Sequence, residues 1–235
     1  ALLLLFFGTW PFAAVKLPEV DAFVPALASA LFVSDCVTAA LLFAQFSMLR
    51  QWALLVITSG YLFTALIVVA HAVTFPGAFT PSGFVRSGLQ SAVWLYWFWH
   101  SGLPLATIGY TLLKDNDRVA EVHSARRAVS LSVAGVLALV TALFWFVTRY
   151  EHLLPITFVD VHPLSLFRRI IGGVVVLVLG GIALWSLWTR QRSLLDQWLV
   201  VALCALLLEV LLASVLSAGR YNLAWYAGRF YQLVT

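Results

Sequence analysis

Five ionisable side chains interrupt runs that are otherwise apolar: Asp35 in VSDCVTAA, His71 in VVAHAVTFPG, His100 in YWFWHSGLP, Glu209 in LLLEVLLA and Arg229 in YAGRFY. A charge at the centre of a bilayer costs at least about 2.5–3.5 kcal/mol, so such groups face a bundle interior and pair with each other or with a ligand. Glu209 and Arg229 form the natural pair, on consecutive segments. Asp35 has a second reading as a hydrogen-bonding contact between helices, since Ser34 and Thr38 accompany it. His71 also has a plain alternative, an imidazole bonded to a neighbouring carbonyl. Two imidazoles at similar depth on adjacent segments equally offer bis-histidine ligation of haem or copper, for which neutral imidazole is a common ligand.

The surroundings of His100 favour an internal pocket. Pro104 has no amide hydrogen, so the His100 carbonyl loses its helical partner and a kink is expected there, with Gly102 loosening the same turn. In lipid a freed carbonyl is tolerated only where it is buried in protein or lines a cavity. Trp94, Trp97 and Trp99 precede it; Trp97, three residues from His100, reads as a pocket wall, and Trp94 as part of an interfacial aromatic belt. Arg220 and Tyr221, in GRYNLAWYAGRFY, sit at the mouth and either cap the pocket or anchor the last helix. The candidate ligand-binding set is therefore His71, His100, Trp97, Glu209, Arg229, Asp35, Tyr221 and Arg220.

Other chemistry finds little support. No nucleophile, base and polarising group recur at a catalytic spacing, and the phosphate-loop, HExxH and dinucleotide fingerprints are missing. Cys36 and Cys204 stand apart without a CxxC, as small core residues. Transport would call for matched broken helices in two repeats, whereas only the segment with Pro104 is broken. The readings carried forward are a ligand-sensing module with no cofactor, a haem- or copper-binding redox or gas sensor using His71 and His100, and a small transporter.

These residues must be positioned by membrane helices. The 235 residues are 63% hydrophobic and 10% charged, with mean hydropathy +0.98; a soluble domain carries about 25% charged residues. Apolar runs of about 20 residues recur without strand alternation. The fold class expected is all-α, a polytopic transmembrane bundle of about eight helices: Ala1 to Ala14, Phe23 to Ser47, Trp52 to Phe75, Leu89 to Leu113, Val129 to Thr148, Leu166 to Trp188, Gln197 to Ser217, and one opening near Asn222. The first and last read as truncated, within a single domain spanning 1–235. By helical rise, His71 lies about 6 Å and His100 about 16 Å below one membrane face, with Glu209 about 12 Å, Arg229 about 10 Å and Asp35 about 18 Å below it. GGVVVLVLGG in the sixth segment reads as close helix packing.

Basic residues are equal in number on the two sides. Arg50, Lys114, Arg118, Arg126, Arg127, Arg190 and Arg192 follow even-numbered helices; Lys16, Arg86, Arg149, Arg168, Arg169, Arg220 and Arg229 lie on the other side. The denser basic loops, and the capping look of TFPGAFTPSGF and YEHLLPITFVDVHPL, place the amino end in the cytoplasm. Arg168 and Arg169 are expected to pair with Glu19, Asp21, Glu151 or Asp160, or to form a mouth attractive to anions. The lipid bilayer is the evident partner, and no nucleic acid is expected.

The runs AFVPALASALFVSDCVTAALLFAQF, SGYLFTALIVVAHAVTFPGAF, GLQSAVWLYWFWHSGLPLATIGY and GRYNLAWYAGRFYQLV resemble the MASE4 family of bacterial membrane-associated sensor domains. The resemblance spans nearly the whole chain and is most specific from Gly60 to Pro104, in AHAVTFPGAF and WHSGLPL. It implies an amino-terminal input module in the bacterial inner membrane, fused to a cytoplasmic GGDEF diguanylate cyclase or histidine kinase and working as a homodimer. The matched polar positions are Asp35, Gln45, His71, Gln90, His100, Arg220, Tyr221 and Arg229. The family's ligand is not defined, so none of them carries an inherited role.

Overall fold

The computed structural model describes residues 2–80, 85, 89–114, 124–155, 158–159, 162–163, 166–190, 193–217 and 220–234. Eight α-helices make up nearly all of it: α1 Leu2–Thr9, α2 Phe23–Leu49, α3 Trp52–Thr74, α4 Leu89–Leu113, α5 Ala125–Arg149, α6 Leu166–Thr189, α7 Leu194–Val210 and α8 Leu223–Tyr231. A two-residue antiparallel ladder, Phe158–Val159 with His162–Pro163, is the exception to the expected all-α bundle.

Local chemistry explains where the boundaries differ from expectation. Pro11 sits in a 3-10 turn, Trp10–Phe12, which ends α1 at Thr9, short of Ala14. Ser124 accepts from the Arg127 amide and starts α5 four residues before Val129. Ser193 and Asp196 form a reciprocal capping box, so α7 begins at Leu194 and not at Gln197. After Val210 the chain widens into a π-helical turn, Leu211–Leu216, an uncommon form that concentrates at functional sites. α4 runs unbroken through Pro104.

Five helices (α2, α3, α5, α6 and α7) are long and apolar enough to cross a membrane. α4 has the length, at 25 residues, but intersperses Trp, Tyr, His and Ser. α1 and α8 have 8 and 9 residues, roughly 12–14 Å of helix against a hydrocarbon core of about 30 Å. We call the end where α2–α3, α4–α5 and α6–α7 connect the lower end, and the other the upper end. Contacts fix the alternation. Ser59 of α3 meets Ser132 of α5 at 2.6 Å near the lower end, and Ser91 at the top of α4 bonds the Val147 carbonyl of α5 at 3.1 Å.

α3 is the central helix, with 72% of its span buried, whereas α2 and α5 bury only 22% and 17% and turn Val33, Leu41, Leu131 and Leu139 outward. Such exposed apolar faces are what a lipid environment requires. The GGVVVLVLGG run packs closely, as expected. A Cβ on Gly172 would lie 2.3 Å from the Trp97 ring, so only glycine lets α6 approach α4 there. α1 and α8 are tied together at the upper end: Leu17 donates to the Tyr221 carbonyl, Leu223 to Val15 and Ala224 to Ala13. The suggested pairing of Arg168 and Arg169 rests on side chains, and on Asp160, that lie outside what is described.

Candidate functional site

Glu209 is wholly buried on the last turn of α7, and four side chains from three other stretches converge on it. Oε1 accepts from Arg229 at 2.9 Å, from Tyr96 at 2.9 Å and from Gln232 Nε2 at 3.1 Å; Oε2 lies 3.0 Å from His100 Nε2. Tyr96 and His100 share a face of α4 because they stand four residues apart. Arg229 and Gln232, three apart, do the same across the end of α8. The π turn brings Ser214 Oγ to 3.4 Å from the Tyr96 hydroxyl. Gly228 allows the close approach: a Cβ there would meet Ala213 Cβ at 3.1 Å and the Glu209 carbonyl at 3.4 Å. The Arg229 guanidinium also lies over the Tyr96 and Trp225 rings, 4.9 and 5.4 Å from their centroids.

The hydrogen bonds fix the protons. His100 Nδ1 is 2.8 Å from the Tyr96 carbonyl, which can only accept, so Nδ1 carries hydrogen. Nε2 lies 3.0 Å from Glu209 Oε2 and 3.2 Å from Gln232 Nε2, and a second proton between imidazole and carboxyl would make the closer contact a hydrogen bond. With that proton on either atom, His100 and Glu209 together are electrically neutral, and Arg229 adds one positive charge. His71 Nδ1 is likewise committed to the Ala92 carbonyl at 3.0 Å, leaving Nε2 for the recess that its ring lines.

Two adjoining recesses run along this cluster. The inner, with a cavity volume of about 20 Å³, is lined by Asp35, Tyr61, Thr64, Trp99, His100 and Glu209, among others. The outer, also of about 20 Å³, is lined by Val24, Leu27, Val68, His71, Phe75 and Arg229, among others. Leu31, Trp99 and Gln232 border both. Asp35 is buried near Thr64, whose hydroxyl donates to the Tyr61 carbonyl at 2.8 Å. Above the recesses, Phe23 packs on Trp225 and Tyr226 in a cluster with Phe75 and Tyr221, which roofs the upper end. Arg220 lies over the Phe75 ring at 4.5 Å. Tyr221, held at φ +61°, bonds Glu19; burial and that bond push its phenol up to about 12.

Of the eight candidates named from sequence, Glu209, Arg229 and His100 meet directly. Asp35 and His71 line the two recesses, and Arg220 and Tyr221 form the roof. Trp97 is a correction: it turns away onto Gly172 of α6, and Trp99 is the wall instead. Tyr96 and Gln232 were missed, although their four- and three-residue spacings from His100 and Arg229 could have found them. A second buried knot also escaped notice. Asp196 takes Tyr110 at 2.8 Å and Lys114 at 2.9 Å at the lower end, again joining α4 to α7. The two histidines do not face a common space, since His100 Nε2 is taken by Glu209 and the Tyr96 and Trp99 rings contact both imidazoles. That arrangement does not fit axial ligation of one iron or copper. Among the described residues no three His, Cys, Asp or Glu side chains cluster as metal ligands do.

Comparison with curated proteins returned no match, and neither did comparison with solved structures. The sequence model for a membrane-associated sensor, integral membrane domain, matches residues 18–235, almost the entire helical bundle described above. The chain belongs to the MASE4 family.

Proposed function

We propose that this sensor domain works as a ligand-responsive input module, in which occupancy of the recesses beside Glu209 changes how α8 is held. The observation that carries the reading is the buried knot itself. Glu209 joins α8 through Arg229 and α4 through Tyr96 and His100, at the edge of a small recess that a ligand would enter by displacing its lining. A ligand that prefers one packing of this knot by about 1–3 kcal/mol shifts the equilibrium between two arrangements by the amount typical of allosteric coupling. On this reading the whole of 1–235 is one sensory, non-catalytic domain. Its last helix leads to a cytoplasmic output, a diguanylate cyclase or a histidine kinase, acting in a homodimer. The family suggests the inner membrane of a bacterium as the setting, and the denser basic loops favour the amino end in the cytoplasm.

The test needs no ligand. In the domain joined to its own output, Glu209→Gln is expected to change basal output several-fold while Gly181→Ala, which opens no clash, leaves it unchanged. Output unaltered by Glu209→Gln in a folded, monodisperse protein would refute the coupling.

A further inference from the structure

Asp35 is a second buried acid beside the knot, and the proposed coupling makes no use of it. It is 8% exposed, and among the described residues no cation pairs with it. By helical rise Asp35 of α2, His100 of α4 and Glu209 of α7 all stand about 20–23 Å above the lower ends of their helices. The inner recess brings the three together with Tyr61 and Thr64 of α3 and with Gln232. Glu209 is already answered by Arg229 at 2.9 Å and by His100 at 3.0 Å. Arg229 and His71 open on the outer recess, and Cys36 is the neighbour of Asp35 along α2. α5 meets α2 lower down, where the uncharged Ala125, Ala128 and Val129 pack beside Phe46. Asp35 is therefore the acid of the recess whose charge no described cation cancels. A lone carboxylate in so dry a setting is costly, and a proton removes the cost.

The recess also limits what can reach that acid. Its volume of about 20 Å³ exceeds the roughly 10–15 Å³ that one water needs, and anything larger must displace the lining. A buried water takes about two to four polar partners. The Asp35 carboxyl, the Glu209 carboxylate and the Thr64 hydroxyl supply them; Thr64 donates to the Tyr61 carbonyl and so keeps its lone pairs for accepting.

We propose that the inner recess is a proton-binding site, in which Asp35 takes up the proton and one water joins its carboxyl to the pair of His100 and Glu209. Hydronium delivers the proton to a carboxylate oxygen, water leaves, and the recess gains one positive charge. The proton is then the stimulus that the knot reads. The charge on Asp35 biases how the shared proton is divided between His100 and Glu209, and Glu209 is the group that holds Arg229 and Gln232. This rests on the reading of the knot as the coupling element.

Infrared difference spectroscopy of the chain in lipid vesicles, stepped between about pH 5 and 9, reads the carbonyl stretch of protonated carboxyl groups; exposed carboxyls ionise near pH 4, so a band that titrates in this range belongs to a buried acid. One such band is expected, lost in Asp35→Asn and kept in Glu209→Gln. In the domain joined to its own output, the wild type is expected to change output several-fold across the same range, and Asp35→Asn to flatten that change. Asp35→Glu, which keeps an acid in place, is expected to titrate at a shifted midpoint and serves if Asp35→Asn fails to fold. No titrating band, a band that survives Asp35→Asn, or an unmoved midpoint in Asp35→Glu overturns the inference. So does a pH response of the output that is the same in the wild type and in Asp35→Asn. Each of these results leaves the coupling reading standing, since that reading falls only if Glu209→Gln leaves output unaltered.

Discussion

The proton arrangement around Glu209 makes an ordering of two substitutions predictable. Glu209→Gln keeps the shape but leaves Arg229 and the His100 nitrogen facing a neutral amide, in a site with no exposure to solvent. Removing one partner of a buried ion pair in this way costs about 3–5 kcal/mol, because the other charge stays buried without compensation. Arg229→Met is milder. It leaves His100 and Glu209 with their shared proton, a neutral pair, and removes one charge-assisted hydrogen bond worth about 1.5–3 kcal/mol. The methionine stem also retains packing against the Tyr96 and Trp225 rings that the guanidinium now covers. The expected result is therefore that Glu209→Gln destabilises more than Arg229→Met. The double variant should cost less than the sum of the two, since the second substitution removes the charge stranded by the first. Reversible unfolding in mixed micelles of increasing dodecyl sulfate content, followed by far-ultraviolet circular dichroism, measures all three. If Arg229→Met proves as costly as Glu209→Gln, His100 does not share a proton with Glu209, and the neutral-pair argument fails.

Three further outcomes follow from the geometry. Gly172→Ala would drive a methyl group into the Trp97 ring and should cost about 1–3 kcal/mol, whereas Gly181→Ala, with nothing within 4 Å, should be neutral or slightly stabilising; melting temperatures of the pair test this. The absorbance spectrum of purified protein, before and after dithionite, should show no Soret band, and a Soret band lost in a His71→Ala, His100→Ala double variant would reinstate bis-histidine haem. The third outcome concerns alkaline pH. The Tyr221 phenol is raised to about 12 in the folded protein, so the native state holds a proton that the unfolded chain releases near pH 10. Stability should decline between about pH 10 and 12, and Tyr221→Phe should remove part of that decline in pH-dependent unfolding.

The helices were legible because lipid imposes a simple rule on composition, and the short polar breaks marked their ends to within a few residues. Where the ends moved, a side chain had intervened: Pro11 cut α1, Ser124 extended α5, and Ser193 with Asp196 extended α7. The Glu209 and Arg229 pair was legible because both are costly in an apolar run and lie on consecutive segments. That His100 joins them was not, since it depends on α4 and α7 lying side by side with α5 and α6 between them in sequence. The same limit explains Trp97. Spacing shows that it neighbours His100 on the helix surface, but only the packing of α6 decides which of Trp97 and Trp99 faces the cavity.

The two buried acids of α7 constrain what a ligand can move. Asp196 grips α4 at the lower end through Tyr110 and Lys114, and Glu209 grips it about 20 Å higher through Tyr96 and His100. Buried ion pairs add little net stability compared with well-packed apolar residues, so their presence at both ends argues for register more than for strength. Sliding α7 by one residue against α4 would break both knots at once. The knots differ in one respect: the lower one ties the end of α4 to the start of α7 and the turn before it, while the upper one also holds Arg229 and Gln232 at the end of α8. On the proposed reading, disturbance of the upper knot leaves α4 and α7 in register through Asp196 and is felt chiefly by α8. A ligand beside Glu209 then needs to shift only the short helix, which is fastened to the rest by the Glu209 contacts, by the pairing of 13–17 with 221–224, and by the Phe23 roof. Disabling the lower knot with Asp196→Asn should therefore loosen the whole bundle, whereas Glu209→Gln should alter output at temperatures where the other helices remain packed.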